Sequence, residues 1–204
     1  MEVIQRITGR MANFTYLIAD PPRKVAAVID PSFGAQELEG IAAQQGWRIV
    51  AIFNTHHHFD HVQDNARLSA STGAPVLAHA ATPLEVDRRL PDGATIEVGQ
   101  LRLRLLHTPG HSVDSACVAV EDHLFTGDTL FVGECGRCDL AGSDPGAMWH
   151  SLHQVLRQVP DSTKVCPGHD YGEVPISSMG RERTTNYTLQ PRTREEFVRF
   201  VLTP

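Results

Sequence analysis

Short apolar runs rich in β-branched and aromatic residues recur along this chain, closed by glycine, proline or polar clusters, with stretches of helical spacing between them. That alternation confines the fold to the α/β or α+β class. Residues 3–7, 14–19 and 25–29 read as strands, punctuated by Gly9 and Pro21-Pro22, so the chain opens as a meander. Residues 35–45 then carry Leu38, Ile41 and Ala42 on one helical face, with Gly46 as a stop, ahead of an apolar strand at 49–53. A helix near 64–71 and strands at 75–78, 95–98, 101–106, 115–120 and 123–126 continue the pattern. In the last third, 147–159 put Met148, Leu152, Val155, Leu156 and Val159 on one helical face. Thr193-Arg-Glu-Glu196, ahead of Phe197, Val198 and Val201, is a capping-box pattern for a final helix. No low-complexity linker separates the halves, which predicts one domain over residues 1–204.

A chain of 204 residues that is 41% hydrophobic can bury roughly 70% of the surface its unfolded form exposes, so no metal is needed merely to fold it. Any metal ligands must then be explained by function. Eighteen Lys+Arg against 24 Asp+Glu leave a net charge of -6, which argues against a nucleic-acid partner and for small-molecule chemistry. Arg6 and Arg10 interrupt the first apolar stretch, and nothing approaches the roughly 18 apolar residues of a spanning helix, so a cytoplasmic protein without a membrane partner is expected. Cys117, Cys135, Cys138 and Cys166 are too few and too unevenly spread for a disulfide framework. Cys135-Gly-Arg-Cys138 has CxxC spacing, but no helical pattern follows it, and a structural role is the stronger reading.

Directly after the strand at 49–53 comes Thr55-His56-His57-His58-Phe59-Asp60-His61, four metal-ligand residue types spaced HxHxDH on a loop. Alternate residues of an extended turn point the same way, so His56 and His58 can grip one ion while Asp60 and His61 face a second. Three later segments each end a strand with such a residue: Thr108-Pro-Gly-His111, Thr126-Gly-Asp128 and Pro167-Gly-His169. Singly, each reads as a turn residue or cap. Joined to HxHxDH, they mark one rim of a sheet.

The series HxHxDH, TPGH, TGD and PGHDY resembles the metallo-β-lactamase superfamily, and the resemblance runs through nearly the whole chain. It implies an αββα sandwich with metals at the edge of two sheets. Carried over residue by residue, it implies a first ion on His56, His58 and His111 and a second on Asp60, His61 and His169, with Asp128 bridging. Two divalent ions are implied, zinc with iron or manganese as alternatives. His57 stays outside this set, and His79, His107, His123, His150 and His153 read as ordinary surface or partly buried histidines.

Within the superfamily, the stretch from Gly127 to Arg137 is similar to the GDTLF and CGR or CGK segment of glyoxalase II, which implies that Arg137 helps to bind glutathione. Tyr171 matches a tyrosine that holds the same ligand. Cys138-Asp139 departs from the aromatic pair expected there, and no helical C-terminal glutathione-binding domain is expected. Asn54-Thr-His, Gly136-Arg-Cys-Asp139, His169-Asp-Tyr171 and Glu182-Arg-Thr-Thr-Asn186 resemble persulfide dioxygenases. In those enzymes one Fe(II) takes two histidines and an aspartate, here His56, His111 and Asp128. That likeness also makes Arg183 a contact for a substrate carboxylate.

The expected activity is hydrolysis of a glutathione-type thioester, with Asp60 both ligating and passing a proton, because a thiolate leaves without a strong general acid. Oxidation of glutathione persulfide is the alternative. The expected partner is a small thiol-derived molecule, and sheet-edge pairing to a homodimer is left open.

Overall fold

In the computed structural model, which describes residues 1–203, the predicted alternation becomes two six-stranded sheets. The first holds β1 (Glu2–Thr8), β2 (Asn13–Asp20), β3 (Val25–Ile29), β4 (Arg48–Phe53), β5 (Val76–His79) and β6 (Arg88–Leu90), side by side in chain order. The second holds β7 (Thr95–Val98), β8 (Leu101–His107), β9 (Ala116–Val120), β10 (His123–Gly127), β11 (Lys164–Pro167) and β12 (Ser177–Ser178), also in chain order. Strands β3 to β6 pair in parallel, as do β10 and β11; the remaining pairs are antiparallel.

Strand β2 shows why the sheets sit between helices. All eight of its residues are buried, with Phe14, Tyr16 and Ile18 on the face toward the second sheet and Leu17 and Ala19 on the other. A strand apolar on both faces needs a partner layer on each. The inner layer joins Phe14, Tyr16, Ile29 and Phe53 to Leu103, Leu105, Val118 and Phe125. Outside the first sheet, α1 (Gln36–Gln45) and α3 (Asn65–Thr72) lay Leu38, Ala42 and Leu68 on Leu17, Val28 and Ile52. Outside the second, α4 (Pro145–His150) and α6 (Arg194–Leu202) help cover Leu124 and Val165 with Met148 and Phe197. The architecture is the expected αββα sandwich. The expected capping box is formed, with Thr193 and Glu196 each bonding the other's backbone N–H.

Three local features differ from the sequence reading. The HxHxDH segment is not wholly a loop, because α2 (Phe59–Val62) starts inside it and carries Asp60 and His61. The helix expected at 147–159 is α4 followed by a π turn, Ser151–Val155, and a 3-10 turn, Leu156–Gln158. There Ser151 Oγ donates to the Pro109 carbonyl at 2.6 Å, tying the widened turn to the loop that carries His111. Strands β6 and β12 and helix α5 (Met179–Thr185) were not foreseen, since each is too short to show a period.

Candidate metal centre

The ligand-type residues meet because each follows a strand that ends at the same edge of the sandwich. His56 and His58 follow β4, with Asp60 and His61 on α2; His111 follows β8, Asp128 follows β10 and His169 follows β11. The sheets are stitched there by a bridge between Asn13 and His169 and by the Phe14 N–H donating to the Gly168 carbonyl at 2.8 Å. Two glycines permit the approach. A Cβ on Gly168 would lie 2.5 Å from Asp128 Oδ1 and 2.9 Å from the His61 ring. Gly127, at φ +48°, would drive one into the Thr55 hydroxyl.

On one side of this centre, His58 Nδ1 lies 3.1 Å from His56 Nε2 and 2.9 Å from His111 Nε2. On the other, His61 Nε2 and His169 Nε2 stand 3.2 Å apart, each 3.5 Å from Asp60 Oδ2. Asp128 lies between, with Oδ1 3.3 Å from His61 Nε2 and Oδ2 3.4 Å from His169 Nε2 and 3.5 Å from His111 Nε2. Apart from half-buried His58, all of these side chains are buried.

The outer nitrogens decide what the inner ones can do. His111 Nδ1 donates to the Arg137 carbonyl at 2.9 Å, and His169 Nδ1 to the Met11 carbonyl at 2.8 Å. His61 Nδ1 donates to Asp30 Oδ2 at 2.9 Å. The Thr55 hydroxyl donates to Asp30 Oδ2 and so accepts from His56 Nδ1 at 3.1 Å. With these outer nitrogens protonated, the inner ones of His56, His61, His111 and His169 present lone pairs whenever the rings are neutral. Facing lone pairs repel unless a cation lies between them. A tetrahedral zinc with Zn–N near 2.0–2.1 Å sets its ligand nitrogens about 3.3 Å apart, close to the spacings here. Asp128 Oδ1 is in addition a buried oxygen without a hydrogen-bond donor. The donor set therefore fits metal ions.

Electrostatics points the same way. Burial, reinforced by neighbouring His61, pushes His56 far below the usual imidazole range, and burial with His111 lowers His58. Burial also opposes a charge on His61, yet Asp128 and Asp30 outweigh it and raise its pKa well above normal. Burial alone would raise Asp128, but His61, His169 and His56 hold it well below the carboxylate range. Adjacent imidazoles driven in opposite directions are a frustration that a cation relieves.

Asp30, Asn13 and Thr55 belong to this centre and escaped the sequence reading. Asp30 also accepts from the Thr55 N–H at 2.7 Å and adopts φ +48° at the end of β3. Asn13 Nδ2 donates to Asp60 Oδ2 at 2.8 Å. The available signal was an acid closing an apolar parallel strand beside the HxHxDH strand. His57 turns away from the cluster, its Nδ1 2.7 Å from Asp114 Oδ1.

The other expected contacts divide. Tyr171 stacks on His169 at 4.6 Å, its hydroxyl donating to the same Met11 carbonyl. The Arg137 carbonyl braces His111, while its exposed guanidinium forms a two-pronged pair with Asp139 at 2.9 and 2.8 Å. Arg183 is engaged elsewhere. Its guanidinium donates to the carbonyls of Leu156, Arg157 and Val159 and pairs with Asp161, so its fork is spent within the helical layer rather than offered to a substrate. Nearby Glu182 and Asn186 bind the Gly133 N–H and the Phe131 and Glu134 carbonyls, holding the loop that follows Asp128. Cys135 and Cys138 are buried on that loop as free thiols.

A metallo-β-lactamase superfamily model matches residues 8–86 and 80–169. The chain is 33% identical over 198 residues to a probable polyketide biosynthesis zinc-dependent hydrolase, BaeB, of Bacillus velezensis, covering 93% of this chain and 87% of that protein. It is 40% identical over 168 residues to a hydroxyacylglutathione hydrolase of Nitrosococcus oceani, covering 79% of this chain but only 63% of the relative. The crystal structure of ETHE1 from Myxococcus xanthus superposes with a TM-score of 0.93 at 31% identity, covering 100% of this chain and 92% of that one.

Proposed function

The chain belongs to the metallo-β-lactamase superfamily of enzymes, and from that premise we propose that it is a metal-dependent hydrolase cleaving a thioester of a glutathione-type thiol. One observation carries the reading: five imidazoles and two carboxylates converge with their inner nitrogens aimed at each other, and the outer nitrogens of His56, His61, His111 and His169 are tied down. In this proposal His56, His58 and His111 would hold one divalent ion and Asp60, His61 and His169 a second, with Asp128 available to both. Such ions supply a Lewis acid and a water acidified from 15.7 toward roughly 7.

The chain's own groups do the rest. Asn13 donates to Asp60 Oδ2, the oxygen that faces His61 and His169, and so orients the carboxylate that would both ligate and take up a proton. Asp30 holds His61 directly and His56 through the Thr55 hydroxyl, so both halves share one buried carboxylate. Tyr171 keeps the His169 ring in place, and Arg137 exchanges Asp139 for a carboxylate of the thiol. The thiolate departs without a dedicated acid. The proposal includes a single domain over residues 1–204 in the cytoplasm; no helix among the described residues is long and apolar enough to cross a membrane.

A second reading is favoured by the full-length likeness to the Myxococcus ETHE1 structure. There His56, His111 and Asp128 would hold a single Fe(II), and the substrate would be a persulfide. The readings demand different metals, since zinc has no redox chemistry. Elemental analysis after expression with iron and with zinc tests them, run beside S-lactoylglutathione hydrolysis and oxygen uptake on glutathione persulfide. Hydrolysis without oxygen uptake supports the thioesterase, and oxygen uptake with one iron per chain overturns it.

A further inference from the structure

The π turn at Ser151–Val155 is an insertion of a kind that is rare in helices and recurs at functional sites. Here the widened turn forms one wall of a cavity of about 420 Å³ in the outer helical layer, closed elsewhere by α5 and by residues 189–192. That volume is within the range of small-ligand sites. None of the ligand-type residues of the metal centre lines it, nor does Arg137 or Tyr171. Its floor is apolar, because Leu152, Leu156 and Met179 are buried there in one cluster with half-buried Trp149 and Leu189. Trp149 Nε1 donates to the Arg192 carbonyl at 3.0 Å, which fixes the indole, and the His153 ring lies at 25° to it with centroids 5.7 Å apart. Every charged side chain on the wall is an arginine, in a chain whose net charge is -6. Arg183 is spent on carbonyls and Asp161. Arg192 is held by donating Nη1 to the Tyr187 carbonyl at 2.6 Å and by lying over Phe200 at 4.1 Å, which leaves Nη2 uncommitted. Exposed Arg157 has no ion pair among the described residues. His153 registers the resulting potential: burial lowers its pKa, and Arg192 and Arg157 lower it further against the pull of the Thr188 carbonyl.

We propose that this cavity is a binding site for a planar aromatic carboxylate, separate from the metal centre. The ring covers the apolar floor beside the Trp149 indole, where aromatic faces and edges attract. The carboxylate takes the free donors of Arg157 and Arg192, whose planar forks match its two oxygens. A cation is repelled by the same arginines, and a small inorganic anion leaves the floor uncovered. A rigid ring also loses less conformational freedom on binding than an alkyl chain would. The inference stands independently of the thioesterase reading.

The tryptophans supply the test, since Trp149 borders the cavity and Trp47, the other indole of the chain, packs with α1 outside the first sheet. Their two indole N–H signals are followed in a proton–nitrogen correlation spectrum of the metal-replete protein, with Trp149→Phe assigning them, during titration with cinnamate. The Trp149 signal should move with a Kd of about 0.1–1 mM, as a half-covered ring and a partly solvated ion pair allow, and the Trp47 signal should stay. Cinnamamide, the same ring without the charge, should bind at least about tenfold more weakly, and inorganic phosphate should leave the Trp149 signal in place. Arg157→Gln should weaken cinnamate at least about threefold and Arg157→Lys less, and because Arg157 is exposed neither variant burdens folding. A Trp149 signal unmoved at about 10 mM cinnamate overturns the proposal. So does an amide or a phosphate that binds there as tightly as the acid, or an Arg157→Gln variant with unaltered affinity.

Discussion

Replacing Asp30 by asparagine separates the buttress of the metal centre from its ligands. The carboxylate accepts three buried donors: the Thr55 N–H, the Thr55 hydroxyl and His61 Nδ1. Asparagine has nearly the same shape and tolerates the left-handed backbone at this position, so strain does not confound the result. Its amide nitrogen, however, must face a group that is itself a donor. One unpaired buried donor costs about 1–3 kcal/mol, which should appear as lower stability of the metal-free protein. In the loaded protein His61 loses the partner that fixes its tautomer, and such losses weaken metal binding by about 10–100-fold, or about 1.4–2.7 kcal/mol. The site that uses His61 should suffer more than the one that uses His56, which Asp30 reaches only through Thr55. Competition with a chromophoric zinc chelator, fitted to two sites, reads both constants. If both stay within twofold of the unaltered protein, or if only the His56 site weakens, the reasoning is wrong.

Other expectations are as concrete. Gly168→Ala forces a methyl against Asp128 and His61 and should cost about 1–3 kcal/mol together with metal content; a folded variant with full metal would contradict the geometry. Arg137→Ala should raise KM for a carboxylate-bearing thiol substrate more than it lowers kcat, whereas Arg183→Ala should lower stability by about 1–2 kcal/mol and leave KM unchanged, as denaturant titration and steady-state kinetics will show. Burial pushes the Cys117 thiol up to about 11 and Cys166 up to about 12. The folded chain then keeps protons that the unfolded chain releases above pH 9, so these thiols stabilise fully at neutral pH and their contribution falls as pH rises from 9 to 11. The slope approaches about 1.4 kcal/mol per pH unit per thiol, and a flat stability curve over that interval would refute it.

The ligand-type residues were legible because turns and helix caps rarely call for imidazoles packed as HxHxDH and then for single histidines and an aspartate at successive strand ends. The sandwich was legible because runs such as 14–19 are apolar on both faces. Asp30 and Asn13 were not, since an acid before proline and an asparagine opening a strand look like turn chemistry until the second sheet is laid against the first. The surroundings of Arg183 were hidden for a related reason. A guanidinium serves a carboxylate or a row of helix-end carbonyls equally well, and only the packing of α5 against the 156–161 segment decides between them.

The proposed metal centre would draw its donors from both layers: His56, His58, Asp60 and His61 come from the first sheet's side, and His111, Asp128 and His169 from the second's. An ion gripped by both would act as a rivet through the sandwich. By mass action, free metal a thousandfold above its dissociation constant adds about 4 kcal/mol to the folded state, all of it released where the two layers meet at that rim. Chelation should therefore loosen this edge first, and amide exchange there should quicken while the buried strands between the layers stay protected.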